Sequence, residues 1–306
     1  MVVLDGGLAT ELEHRGLDLA DRLWSARSVA ESPETVAAVH RDYIDAGADV
    51  VIAASYQVSF SGFEKAGRPA AEAEACLHRA VALAREVRDD WWGTVGTRAD
   101  RLRPRVAASV GPYGASLADG SEYRGDDGLG VAELEDWHRR RFEILGDSGA
   151  DLLACETLPS LREGRALARL LAESKVPGWL SFSCRDGLSL ADGTPFDQVV
   201  AELRDTPGLL AIGVNCLDPR HVGTLLERAR SQTDLPLVAY PNSGEGWDAD
   251  HRCWTPAPRD HDLASLARGW HRQGGRLLGG CCRTRPADIA ALRRALEPPA
   301  SRSLPK

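Results

Sequence analysis

Two adjacent cysteines, Cys281 and Cys282, follow Gly279 and Gly280 in the segment "LLGGCCRT". Side-by-side cysteines are awkward disulfide partners and unnecessary as core. Their chemistry is that of soft thiolates, which bind metals or exchange electrons. A third thiol, Cys216, closes the apolar run "LLAIGVNC" (209–216). Three thiolates at tetrahedral distances suit Zn²⁺ with one position left open, and an open position marks a catalytic site because structural zinc sites are closed by four ligands. Two other readings of these residues stand beside that one. A lone cysteine at a strand end is commonly a small buried apolar residue, and Cys281 with Cys282 could form a vicinal redox disulfide. Of the seven cysteines, Cys76 on a helix-like stretch, Cys155, Cys184 and Cys253 receive no metal role.

Polar residues at other ends of apolar runs extend the set. Asp5 precedes Gly6 and Gly7, and Glu156 precedes Thr157. A carboxylate can hold an ammonium, and glycine amides can approach a substrate carboxylate; helix capping or a buried ion pair is the bland role for each acid. Asparagine occurs only at Asn215 and Asn242, each also a natural turn former. Tyr56, Tyr113 and Tyr240 offer aromatic faces to a cation, with core packing as their ordinary use. None of the eight histidines has metal-ligand spacing, and most fall on helix-like stretches as expected surface residues.

The elements that must position these residues are eight short apolar runs, at 2–5, 50–54, 105–110, 151–156, 179–184, 209–216, 235–240 and 276–280. Several lack polar alternation, as strands buried on both faces do. Amphipathic stretches separate them. One begins at Ser32-Pro33 and ends near Gly47, with favourable start and stop residues. Eight β-then-α units predict a single-domain (β/α)8 barrel over residues 1–296, with a doubly wound open sheet as the alternative. Residues 89–104 and 115–130 read as insertions, the second a glycine-rich loop able to act as a lid. Residues 297–306 read as a flexible tail. In a barrel the active site lies at the C-terminal ends of the strands. That end carries Asp5, Tyr56, Glu156, Asn242 and the thiols of the sixth and eighth strands, so Cys216, Cys281 and Cys282 could converge over one mouth.

The totals narrow the function. A formal net charge of -8 argues against general nucleic-acid binding. No apolar run approaches the ~20 residues of a membrane span. No signal-peptide pattern is visible, so a cytoplasmic location is expected.

The segments "DGGLATELE", "SYQVS", "SVGPYGA", "DGSEYRG", "CETLPS", "SFSCRDG", "GVNC", "YPNSGEGWD" and "GGCCRT" together resemble the homocysteine S-methyltransferase family, from Asp5 to about Pro286. The resemblance implies a (β/α)8 barrel with Zn²⁺ on Cys216, Cys281 and Cys282. It implies that Asp5 and Glu156 hold the homocysteine amino group, with backbone near Gly6 and Gly7 helping. With no second domain, the chain looks like the short, cobalamin-independent branch, which takes methyl from S-methylmethionine or S-adenosylmethionine. The expected reaction is transfer of that methyl to the zinc-bound thiolate of homocysteine, giving methionine. Asn242 is a candidate for the open metal position in the resting state, and Tyr56 for a substrate contact. Ala54-Ser55 departs from the Asn-Thr expected of relatives. The expected partners are homocysteine and a sulfonium donor, without nucleic acid or membrane. Alternatives are another donor or acceptor (betaine, a methylfolate, selenocysteine), a vicinal-dithiol redox protein, or a non-catalytic thiol-binding barrel.

Overall fold

Eight apolar runs form parallel strands because each is too short and too uniformly buried to stand alone. In a computed structural model, which describes residues 1–19, 23, 25–96, 101–248, 253–255 and 262–297, they are β1 (Val2–Val3), β2 (Val50–Ile52), β3 (Arg105–Val110), β4 (Leu152–Leu158), β5 (Gly178–Phe182), β6 (Leu209–Asn215), β7 (Leu237–Tyr240) and, after a two-stranded hairpin of β8 (Gly246–Asp248) and β9 (Cys253–Thr255), β10 (Gly275–Leu278). The pairing order is β1-β10-β7-β6-β5-β4-β3-β2. A parallel bridge between Leu4 and Val50 joins the two ends, and Asp5 N–H donates to the Val50 carbonyl at 3.1 Å. The result is the (β/α)8 barrel, in one domain.

Helices alternate with the strands and cover the outside. They are α1 (Leu8–His14), α2 (Ser25–Glu31), α3 (Pro33–Asp45), α4 (Phe60–Lys65), α5 (Ala70–Thr94), α6 (Val131–Asp147), α7 (Leu161–Glu173), α8 (Phe196–Leu203), α9 (Pro219–Arg230), α10 (Leu263–Arg272) and α11 (Pro286–Leu296). Their starts follow side-chain chemistry: Ser160, Asp218 and Asp262 each accept a first-turn N–H of α7, α9 and α10. Two cores result. One fills the space between strands and helices. The other lies inside the barrel and is built by Leu4, Val50, Ala107, Leu152, Ala154, Trp179, Ala211, Val238 and Tyr240, the filled interior expected of this architecture. Gly213 on β6 shows how tightly the strands are set, since a Cβ there would lie 1.8 Å from the Val238 carbonyl oxygen.

The structure departs from the sequence reading in local ways. Residues 89–94, read as part of an insertion, continue α5, because Arg88 and Trp91 extend its buried stripe and Trp91 Nε1 donates to Asp45 at 2.7 Å. Helices α1, α2 and α4 and the β8–β9 hairpin were not anticipated. Two histidines read as surface residues are fully buried. His40 sits in the core with its pKa lowered by burial to about 4. His138 Nε2 lies 2.7 Å from Glu163 Oε1. The tail expected to be flexible lies outside the described residues after Glu297. No described helix is long and apolar enough to cross a membrane.

Candidate active site

Parallel pairing puts every strand's C-terminal end at one mouth, and a cavity of about 130 Å³ opens there. That volume is far above the ~15 Å³ needed for a single water. Asp5, Gly6, Gly7, Tyr56, Glu156, Cys216, Cys281 and Cys282 line it, together with Ser109, Glu122, Tyr123, Thr157 and Tyr240. No Lys, Arg or His is among the described lining residues. Tyr113, one of the tyrosines read as a possible cation contact, instead packs edge-on against Trp137 at 5.1 Å.

The three thiols come from the ends of β6 and β10. Their sulfurs all lie within 4.8 Å of one another, with Cys216 Sγ 3.7 Å from Cys282 Sγ. A strand alternation that turns Ala211 inward would turn Cys216 outward. A left-handed backbone at Cys216 (φ 54°) ends the strand there and redirects the residue. A second left-handed residue, Arg283 (φ 65°), follows the Cys pair. The preceding glycines serve close approach and not a left-handed turn: a Cβ on Gly279 would lie 2.6 Å from Leu4 Cβ, and one on Gly280 would lie 2.3 Å from Thr284 Oγ1. Hydrogen bonds from the Cys281 and Cys282 thiols, joined by Tyr123 and Asn242, hold the Cys216 thiol well below its ordinary pKa in spite of burial. As donors to that sulfur, Cys281 and Cys282 are held above theirs. The spacing of the cluster also suits a metal: Zn–S bonds of about 2.3 Å at tetrahedral angles place sulfurs about 3.8 Å apart. The Cys216–Cys282 separation fits, and the group can hold a metal ion.

The acids line the same cavity. Glu156 is turned inward with Leu152 and Ala154 on alternate positions of β4. It accepts from the Ser109 hydroxyl, and burial raises its pKa to about 7. Asp5 accepts the Ile52 N–H at 2.8 Å, and burial followed by the neighbouring Glu156 charge raises it well above the carboxylate range. The Gly7 N–H is directed at Thr284, 3.2 Å from both its carbonyl and its hydroxyl oxygen. A Cβ at Gly7 would lie 2.6 Å from the Cys281 carbonyl oxygen, so this glycine lets the first loop pass beneath the cysteine pair. Asn242 is placed by its N–H to the Leu217 carbonyl at 2.9 Å, and its Oδ1 is buried without a hydrogen-bond partner among the described residues.

A supporting layer fixes these groups. Asn215 accepts the Thr157 N–H at 2.7 Å and donates to the Thr157 hydroxyl at 2.8 Å, holding Thr157 in a left-handed conformation (φ 60°). Thr157 in turn hydrogen-bonds to Tyr56. Behind the loop after β3, Glu163 accepts the Tyr113 N–H at 2.6 Å and pairs with His138. Arg141 donates to the Gly111 carbonyl. Sequence reasoning missed Tyr123 and Glu122, which a 3₁₀ turn (Ser121–Tyr123) carries into the cavity from the 115–130 loop; Tyr123 Oη lies 3.2 Å from Cys216 Sγ. Their signals were a polar loop following a barrel strand and the segment "DGSEYRG", which contains both residues.

Because the pKa of Glu156 is raised, the folded chain holds its proton more tightly than the unfolded chain. The associated stability is full below about 4.5 and lost as the pH rises through about 7. The displacement corresponds to roughly 3 kcal/mol. Thermal melts at pH 5 and pH 8 should therefore show a smaller alkaline loss in Glu156→Gln than in the parent; equal losses would refute the assignment.

A barrel whose mouth joins three thiols to buried acids defines a thiol-handling enzyme able to hold a metal. Comparison with known proteins gives the family. A sequence model of homocysteine S-methyltransferase matches residues 2–296. A homocysteine S-methyltransferase of Escherichia coli (strain K12) is 48% identical over 295 residues, covering 96% of this chain and 94% of that protein. One of Bacillus subtilis (strain 168) is 45% identical over 301 residues, covering 97% and 96%. The crystal structure of the metallated form of the Escherichia coli homocysteine methyltransferase superposes with a TM-score of 0.86 at 45% identity, covering 96% of each chain. The chain belongs to the homocysteine S-methyltransferase family, and it is a methyltransferase.

Proposed function

We propose that this enzyme transfers a methyl group from a sulfonium donor, S-methylmethionine or S-adenosylmethionine, to the thiol of homocysteine, with Zn²⁺ held by Cys216, Cys281 and Cys282. The observation that carries the reading is the three-thiol cluster set in a cavity lined by acids and by no described cation. Such a pocket favours positively charged ligands and disfavours a polyanionic methylfolate. The metal, when bound, keeps the acceptor sulfur a thiolate at neutral pH, where a free thiol with a pKa near 8.5 is mostly protonated.

The chain's own residues bind and align. Asp5 and Glu156 receive the homocysteine ammonium, and its arrival favours their ionised forms. Tyr56 and Tyr240 wall the cavity; Tyr240 is fixed by Trp179 Nε1 at 2.9 Å and by Ser181 at 2.6 Å. In the transfer, a sulfur lone pair of the acceptor forms the new S–CH₃ bond while the donor's CH₃–S bond breaks. The electron pair of that bond returns to the donor sulfur, which leaves as a neutral thioether. The donor's own positive charge activates the methyl, so no general acid is needed. The work of the site is thus alignment of two substrates. Three thiols in close array stay reduced in a cytoplasmic setting. A redox role for Cys281 and Cys282 alone would leave Cys216 without purpose in the cluster.

The reading is tested by incubating the metal-loaded enzyme with homocysteine and CD₃-labelled donors one at a time, with and without a chelator. Labelled methionine should form from a sulfonium and stop on chelation. No label from any sulfonium, with the metal verified in place, would exclude it.

A further inference from the structure

Apart from the Asp5–Glu156 pair, the cavity has a third carboxyl, Glu122. Its backbone is held firmly: the Glu122 carbonyl accepts from the Ser183 hydroxyl at 3.2 Å, and the preceding Ser121 donates its N–H to Asp119 at 3.0 Å. One side-chain oxygen is unsatisfied by contrast. Glu122 Oε2 is buried and has no hydrogen-bond partner among the described residues. A buried carboxylate oxygen without a donor is costly, and a cation is the partner that relieves it.

Glu122 reaches the cavity from a different element than the other two acids. Asp5 and Glu156 stand at strand ends and accept from the Ile52 N–H and the Ser109 hydroxyl. Glu122 is carried in by the 3₁₀ turn Ser121–Tyr123, beside Tyr123, whose Oη lies 3.2 Å from Cys216 Sγ. The cavity at the sulfur cluster thus has two separately mounted sets of carboxyls, one of Asp5 and Glu156 and one of Glu122 on the loop after β3. A single ammonium is accommodated by the first. A second positive ligand has the second.

We propose that Glu122 is a specificity-determining residue that binds the cationic methyl donor, so that the enzyme selects donors by their positive charge. The inference rests on the sulfonium chemistry proposed above. With Glu122 engaging the donor, its buried Oε2 gains a charged partner, and the donor is drawn toward the thiol cluster in the same cavity.

The test compares metal-loaded parent, Glu122→Gln and Glu122→Asp enzymes with donor and homocysteine varied separately. Loss of one charge-assisted contact should raise the donor KM by roughly 10- to 100-fold in Glu122→Gln. The homocysteine KM should stay within about twofold and the metal content should not change. Glu122→Asp should recover part of the donor affinity. Calorimetric titration with S-methylmethionine, which requires no turnover, should show the same loss in Kd. Absence of turnover in the parent would defeat the proposed reaction but leave the titration to judge Glu122. An unchanged donor Kd, or donor and homocysteine weakening together, would overturn the assignment.

Discussion

Cys282→Ala is expected to bring metal content and methyl transfer to background together. Two thiols would remain, and a site built from three soft ligands loses both charge and geometry when one is removed. Cys282 is also the sulfur that stands 3.7 Å from Cys216, so its loss removes a donor that stabilises the Cys216 thiolate. Without the ion, the acceptor sulfur falls back on its own small thiolate fraction and loses its placement. A decrease of at least ~10³-fold in kcat/KM follows from those two effects combined. The control is Cys184→Ala. Cys184 sits beyond β5, where burial pushes its thiol up, and it is outside the metal-capable group; this variant should keep its metal and its rate. Metal analysis with initial rates on both variants decides the matter. A metal-free Cys282→Ala enzyme of full activity would end the mechanism.

Glu156→Gln should act on the other substrate. A buried charge pair truncated on one side costs about 2–4 kcal/mol, or roughly 30- to 1,000-fold. The effect should fall on the homocysteine KM, with metal content retained, since the hydrogen bonds of Glu156 go to Ser109 and Tyr240 and Glu156 is outside the metal-capable group. Glutamine keeps an acceptor for the Ser109 hydroxyl, so the fold should survive. Asp5→Asn should behave in the same direction, with its amide Oδ1 turned to accept the Ile52 N–H that Asp5 Oδ2 now accepts. An unchanged homocysteine KM in both variants would remove the acids from substrate binding.

Much of this site could be read from the chain because barrel geometry converts linear position into place. A residue at a strand end is at the mouth, which located Asp5, Glu156, Cys216 and the Cys281–Cys282 pair. Strand alternation further predicts that Glu156 faces inward. Glu122 and Tyr123 were not legible. They lie on a loop without periodicity, and their position is set by contacts distant in sequence, such as Ser183 with the Glu122 carbonyl at a separation of 61 residues. The role of Gly279 and Gly280 depends on distant contacts in the same way, since it is set by Leu4 and Thr284 pressed against them. His138 likewise looked like a surface residue until its partner Glu163, on the next helix, was in view. Helix and strand content follow from local pattern; the aim of an individual side chain follows from packing.

Three non-glycine residues at the mouth, Thr157, Cys216 and Arg283, hold left-handed backbones. Each costs about 1–2 kcal/mol, so the rim of the mouth is kept under tension by the rest of the barrel. An ion arriving at these sulfurs has little backbone left to organise, since folding has already bent it. The same tension sets a limit on adaptation. A lineage driven toward greater heat tolerance would find relief by relaxing these turns, and each relaxation would swing a sulfur, or its support, out of register. Robustness in this enzyme must therefore be acquired elsewhere in the barrel, away from the ring where the tension is held.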